Sequence, residues 1–173
     1  MTIGLVTHGR WARQDTTVST RPAAPTPTMR KRRQWGVADY RTVLAWPVEQ
    51  DADGVGLRLG CGVGAVEFLA GRGRAVITAL AARGLLGPVL ALPGQPVRWV
   101  FLTSPDDPGA AVSGVAMIGA RLRMTGPEAL ALPPSVTARG PARWIVAPEP
   151  GPAALPRLHA VLSAAWQTAG CGQ

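Results

Sequence analysis

The stretch "ALALPPSVTARGPARWIVAP" occupies residues 129–148. Its two ends, "ALALPP" and "ARWIVAP", are apolar and suit strands. Its centre holds Pro133-Pro134-Ser135, then Arg139-Gly140, residues that bend a chain for known reasons. The segment reads as a hairpin. Arg139, Arg143 and Trp144 on it would turn that hairpin toward a polyanion.

Working upstream, "PVLAL" (88–92) and "VRWVFLT" (97–103) read as strands joined by "PGQP", where Pro fixes φ and Gly permits a positive one. "RGRAVITALAAR" (72–83) places Val76, Ile77 and Leu80 on one side, the spacing of a helix, and Gly84 is its stop. "AVEFLA" (65–70) fits a strand or a helix start, while "GVGLRLG" (54–60) alternates like a strand. "DYRTVLAWPV" (39–48) begins as a short helix and turns extended before Pro47. Downstream, Leu158, Leu162, Ala165 and Trp166 recur at helical intervals, predicting a C-terminal amphipathic helix on a sheet. Several short strands with two or three helices make an α+β class.

At 173 residues the chain is long enough to bury a core without staples. Its net charge is +8, and all of its cations except Lys31 are arginine. A small domain this basic attracts polyanions, and guanidinium pairs bidentately with phosphate. Cys61 and Cys171 make neither a disulfide framework nor a metal motif, and His8 and His159 are isolated. No apolar stretch is long enough to span a bilayer and no signal-like leader opens the chain, so a cytoplasmic protein without membrane partners is expected.

Residues 1–28 differ from the rest. "TTVSTRPAAPTPT" has no period and little to bury, as in a disordered arm or a start assigned too far upstream. The folded domain is therefore expected over residues 29–173. At its start, Arg30-Lys31-Arg32-Arg33 is a dense basic cluster, either a phosphate-grasping arm or a solvated leader.

One motif points elsewhere. An apolar strand followed by Gly60-Cys61-Gly62-Val63-Gly64 is similar to the cofactor loop of S-adenosylmethionine-dependent methyltransferases. Glycines there let backbone approach a ligand over a helix N-terminus. The acid usual just before such a loop is replaced by Arg58, and "PVLAL" lacks the acid for the ribose hydroxyls.

The whole pattern resembles the bacterial primase-polymerase family, the bifunctional DNA primase/polymerase N-terminal domain, over roughly residues 35–150. Pro133-Pro134-Ser135, the Arg139-Gly140 turn and Arg143-Trp144 carry its last motif. "PGQPVRWVFLT" stands where the family has a His-Leu-Tyr-Phe strand, and "GVGLRLGCGVGAVEFL" where its acidic strand lies. The resemblance implies a small, RRM-related sheet packed by helices, and two-metal nucleotidyl transfer through three carboxylates and a His. This chain departs from that pattern. Glu67 is present, but Leu69 takes the second acid's place. Arg98 or Trp99 replaces the His, and Arg121 to Arg123 fall where the third acid belongs.

One carboxylate does not hold two Mg²⁺ ions. The expectation is thus a catalytically silent relative with no metal and no cofactor, Mg²⁺ or Mn²⁺ entering only if activity survives. Arg98, Arg121, Arg123, Arg139 and Arg143 then become candidate contacts for single-stranded or template–primer DNA. Trp144 or Trp99 is the candidate for base stacking, against a plain packing role. Ser135 reads as a turn residue bonded to its own backbone. Glu67 reads as a surface acid or as the partner of a nearby Arg. Two other classes stay open: a protein-interaction or regulatory module on the same fold, and an enzyme, either a divergent primase/polymerase or the methyltransferase.

Overall fold

Three segments of the chain, "GAVEFL", "VLAL" and "RWVFLT", carry apolar residues at nearly every position instead of alternating. Such runs belong to strands covered on both faces. In the computed structural model these segments form the middle of a five-stranded sheet. The structure describes residues 34–52, 54–104, 119–123, 129–150 and 155–170.

The elements run α1 (Val37–Thr42), β1 (Val48–Asp51), β2 (Gly54–Leu57), β3 (Gly64–Leu69), α2 (Ala70–Ala81), β4 (Val89–Leu92) and β5 (Arg98–Thr103). There follow β6 (Arg121–Arg123), β7 (Leu130–Leu132), β8 (Val136–Thr137), β9 (Gly140–Pro141), β10 (Arg143–Val146) and α3 (Leu158–Gly170). The large sheet has the order β10-β4-β5-β3-β6, a small sheet has β1-β2-β7, and β8-β9 form a two-stranded ribbon. Every strand pair among the described residues is antiparallel. The class is α+β, as expected.

Side-chain alternation divides the large sheet into two cores. Val66, Phe68, Val89 and Phe101 face α2 and α3, where Val76, Leu80, Leu158, Val161 and Ala165 cover them. Phe68 and Phe101 meet edge to face at 5.4 Å, a geometry worth about 0.5–1.5 kcal/mol beyond the area buried. The other face presents Ala65, Leu90, Val100 and Leu102 to the small sheet and α1, meeting Val55, Leu57, Leu130, Leu132 and Tyr40.

Local chemistry explains the element ends. The Gly36 N–H donates to the Asp39 carboxylate at 3.0 Å and starts α1. After α2, the Leu85 N–H returns to the Leu80 carbonyl while Gly84 takes φ 65°, the expected glycine stop. Gly73 is fixed by packing. A Cβ there would stand 2.8 Å from the Trp99 ring, so glycine lets α2 lie against β5.

The stretch at 129–148 folds differently from the expected hairpin. Its two strands do not pair with each other: β7 joins β2 in the small sheet, whereas β10 joins β4 in the large one. Only the short β8–β9 ribbon between them is a hairpin. The segment is a bridge between sheets. Ser135 pins it, because its hydroxyl accepts from the Val55 N–H at 2.6 Å and donates to the Val55 carbonyl at 3.0 Å. Ser135 therefore bonds the backbone of β2, where the sequence suggested its own.

The glycine-rich loop is likewise a connector. Gly60 N–H closes a turn on the Val63 carbonyl at 2.8 Å, and the chain then enters β3. A strand follows the glycines, so the helix N-terminus on which an S-adenosylmethionine loop depends is missing there. Among the described residues no helix is long and apolar enough to cross a membrane.

Candidate functional site

Strand register decides which side chains meet. In β3, Glu67 lies opposite Arg121 of β6 on one side and Val100 of β5 on the other. Leu69 lies opposite Arg98, which in turn faces Leu92 of β4. Residues paired across antiparallel strands share a face. Glu67, Leu69, Arg98 and Arg121 thus stand on the side of the large sheet that faces the small one. Trp99 points to the opposite side and packs over Gly73 of α2. Of the two residues considered at the family's His position, Arg98 is the one on this face.

The small sheet leaves part of that face uncovered. What remains is a cleft of about 300 Å³ lined by Glu67, Leu92, Arg98, Arg121, Arg139 and the 93–96 turn. Arg139 enters from the β8–β9 ribbon, so the bridge pinned by Ser135 also carries one wall of the cleft. Among the described residues three guanidinium groups meet one carboxylate here. Glu67 is buried, with 1% of its side chain exposed, and its Oε2 lies 4.0 Å from Arg98 Nη1. The sequence suggested a surface acid or an Arg partner; the residue is a buried Arg partner. Arg98 is half-buried, and Arg121 and Arg139 are exposed.

Other predicted residues lie elsewhere. Arg143 pairs with Ala91, which faces α2 together with Trp99, so it stands on the far side of the large sheet. Trp144 pairs with Leu90 on the near side and closes an aromatic cluster. Its ring centroid is 6.4 Å from Tyr40 and 6.3 Å from Trp46, and Trp35 stacks on Tyr40 at 5.8 Å. The Trp144 Nε1–H donates to the Tyr40 hydroxyl at 3.1 Å, and that hydroxyl donates to the Pro133 carbonyl at 2.6 Å. Burial pushes the Tyr40 phenol up to about 12, against the opposing pull of the Trp144 hydrogen bond. Trp144 is thereby a packing residue that ties β10 to α1 and to the 133–135 bend.

Arg123 lies opposite Ala65, and its side chain is outside the described residues. Arg30, Lys31, Arg32 and Arg33 are outside them as well.

The cleft does not fit a pair of divalent ions. Among the described residues its one carboxylate is flanked by cations, and no three His, Cys, Asp or Glu side chains gather. The guanidinium groups present planar donors around a concave surface.

Comparison with protein families agrees with this fold. The family model for the N-terminal domain of bifunctional DNA primase/polymerase matches residues 10–158. The chain belongs to that family. The matched range includes the acidic strand β3, the β4–β5 turn and the whole 129–148 bridge. No curated protein and no solved structure matches the chain. In this chain the strand register and the cleft bring Glu67, Arg98 and Arg121 together. The Tyr40–Trp144 bond escaped the sequence reading. Its partners are 104 residues apart and no local pattern signals the pairing.

Proposed function

We propose that this primase/polymerase-family domain binds single-stranded or template–primer DNA through Arg98, Arg121 and Arg139, and does not carry out nucleotidyl transfer. The carrying observation is the composition of the cleft: among the described residues, three guanidinium groups around one buried carboxylate. Guanidinium forks fit phosphate oxygens, and their contacts give affinity without reading sequence. The net charge of +8 adds long-range attraction for the same ligand. Two-metal transfer needs several hard oxygen ligands around the ions, and among the described residues the cleft offers Glu67 alone.

A salt series tests the binding half. Fluorescence anisotropy of a labelled single-stranded oligonucleotide should give a steep negative slope of log affinity against log salt. Flat or absent binding at low salt would sink it and favour a protein-interaction module. Primer extension with Mg²⁺ or Mn²⁺ tests the silent half; extension that Glu67→Ala abolishes overturns it.

A further inference from the structure

Among the described residues Glu67 is the one carboxylate in the buried set, and it lies at the back of a cleft whose other ionic groups are cations. Burial of an ion costs free energy unless opposite charge compensates it. Arg98 supplies part of that compensation at 4.0 Å, and Arg121 stands directly across the strand pair. An incoming phosphate reaches for the same guanidinium donors. Carboxylate and ligand therefore compete.

We infer that Glu67 is a built-in counterion: it positions Arg98 and Arg121 and sets how much negative charge the cleft accepts. This rests on the reading of the cleft as an anion site. The consequence is a preference in ligand class. A phosphodiester strand carries one charge per nucleotide and offers successive phosphates to separate cations. A nucleoside triphosphate concentrates its charge in one place, against the carboxylate. The cleft thus selects the strand over the free triphosphate, and Glu67 is the residue that makes the selection.

The test uses the full chain, a labelled single-stranded DNA oligonucleotide over a salt series, and competition by a nucleoside triphosphate without divalent metal. Glu67→Gln should bind the strand about five- to tenfold more tightly. Its salt slope should steepen by about 0.7, the share of one more phosphate contact. The triphosphate should compete better against the variant than against the wild type. In an Arg98→Gln background the gain from Glu67→Gln should shrink or vanish, since the competing pair no longer exists. Glu67→Asp keeps the charge and shortens its reach, so it should show a smaller gain of the same sign even if the Gln variant folds poorly. Unchanged or weaker binding by folded Glu67 variants, with wild-type binding intact, overturns the counterion role alone. Absence of wild-type binding at low salt overturns the anion-site reading and this inference together.

Discussion

Ser135 and Val55, eighty residues apart in sequence, are joined by two hydrogen bonds through one hydroxyl. The hydroxyl satisfies both polar groups of one β2 peptide position and fixes the bridge between sheets against the small sheet. The Ser135 backbone is engaged too: its N–H reaches the Leu132 carbonyl at 2.9 Å, and its carbonyl accepts from Ala142 at 3.0 Å. Ser135→Ala should therefore cost about 2–3 kcal/mol, because it strands buried backbone groups. Denaturant unfolding reads this directly. A loss under about 0.5 kcal/mol, the range of ordinary surface changes, refutes the pinning role.

Gly54 is the counterpart of that pin. Its φ is 135°, and a Cβ there would lie 2.3 Å from Ser135 Oγ and 2.8 Å from Ser135 Cα. Gly54→Ala should destabilise by more than about 2 kcal/mol through strain and clash together. Adding Ser135→Ala should not rescue it. The Ser135 Cβ still stands 2.6 Å from the new methyl, and the backbone angle is unchanged. Rescue to the single-mutant level in a double-mutant cycle would mean that the hydroxyl alone shaped the site.

The elements that depended on local chemistry were legible in the sequence. Those that depended on long-range pairing were not. "PGQP" marked its turn, and the 72–83 periodicity marked α2. "AVEFLA" stayed ambiguous because a strand buried on both faces loses the period-two pattern that separates it from a buried helix. The 129–148 segment looked like a hairpin because turn residues sit between two apolar runs. Nothing local says that the runs join different sheets. The same limit governed the cleft. The sequence sets Arg98, Arg121 and Arg139 beside Arg143 as candidate contacts, and the structure brings the first three to one cleft with Glu67 while Arg143 lies on the other face. The side of the sheet that Arg143 takes follows from pairing with Ala91, which composition does not reveal.

Tyr40 gives a pH prediction. Its phenol is pushed up to about 12 from the ordinary 10, mainly by burial. A folded-state value above the unfolded one means that the neutral phenol is favoured in the native protein. That contribution is complete below pH 10 and is lost as pH rises from 10 through 12. The loss is on the order of 2–3 kcal/mol. The chain has a single tyrosine, so tyrosinate absorbance follows this group alone. Trp144→Phe removes the hydrogen bond that lowers the value and should raise it further, with about 1 kcal/mol of lost stability. An ordinary tyrosine titration near 10 in the folded protein would show that the aromatic cluster is open to water.

The sharpest separation of the cleft from mere surface charge comes from three arginines of equal formal charge. Arg121 and Arg139 are exposed and line the cleft; Arg143 is exposed on the opposite face. If binding were a matter of net charge, each Arg→Gln substitution would weaken oligonucleotide affinity alike. With a built cleft, Arg121→Gln and Arg139→Gln should each lower affinity about three- to tenfold and flatten the salt slope by about 0.7, the loss of one phosphate contact. Arg143→Gln should leave the slope within error of the wild type. All three positions tolerate glutamine sterically because their side chains are exposed, so the melting temperatures should stay close and the comparison is one of binding. Equal effects at all three positions would replace the cleft with a diffuse field. An effect at Arg143 alone would move the interface to the face beside α2.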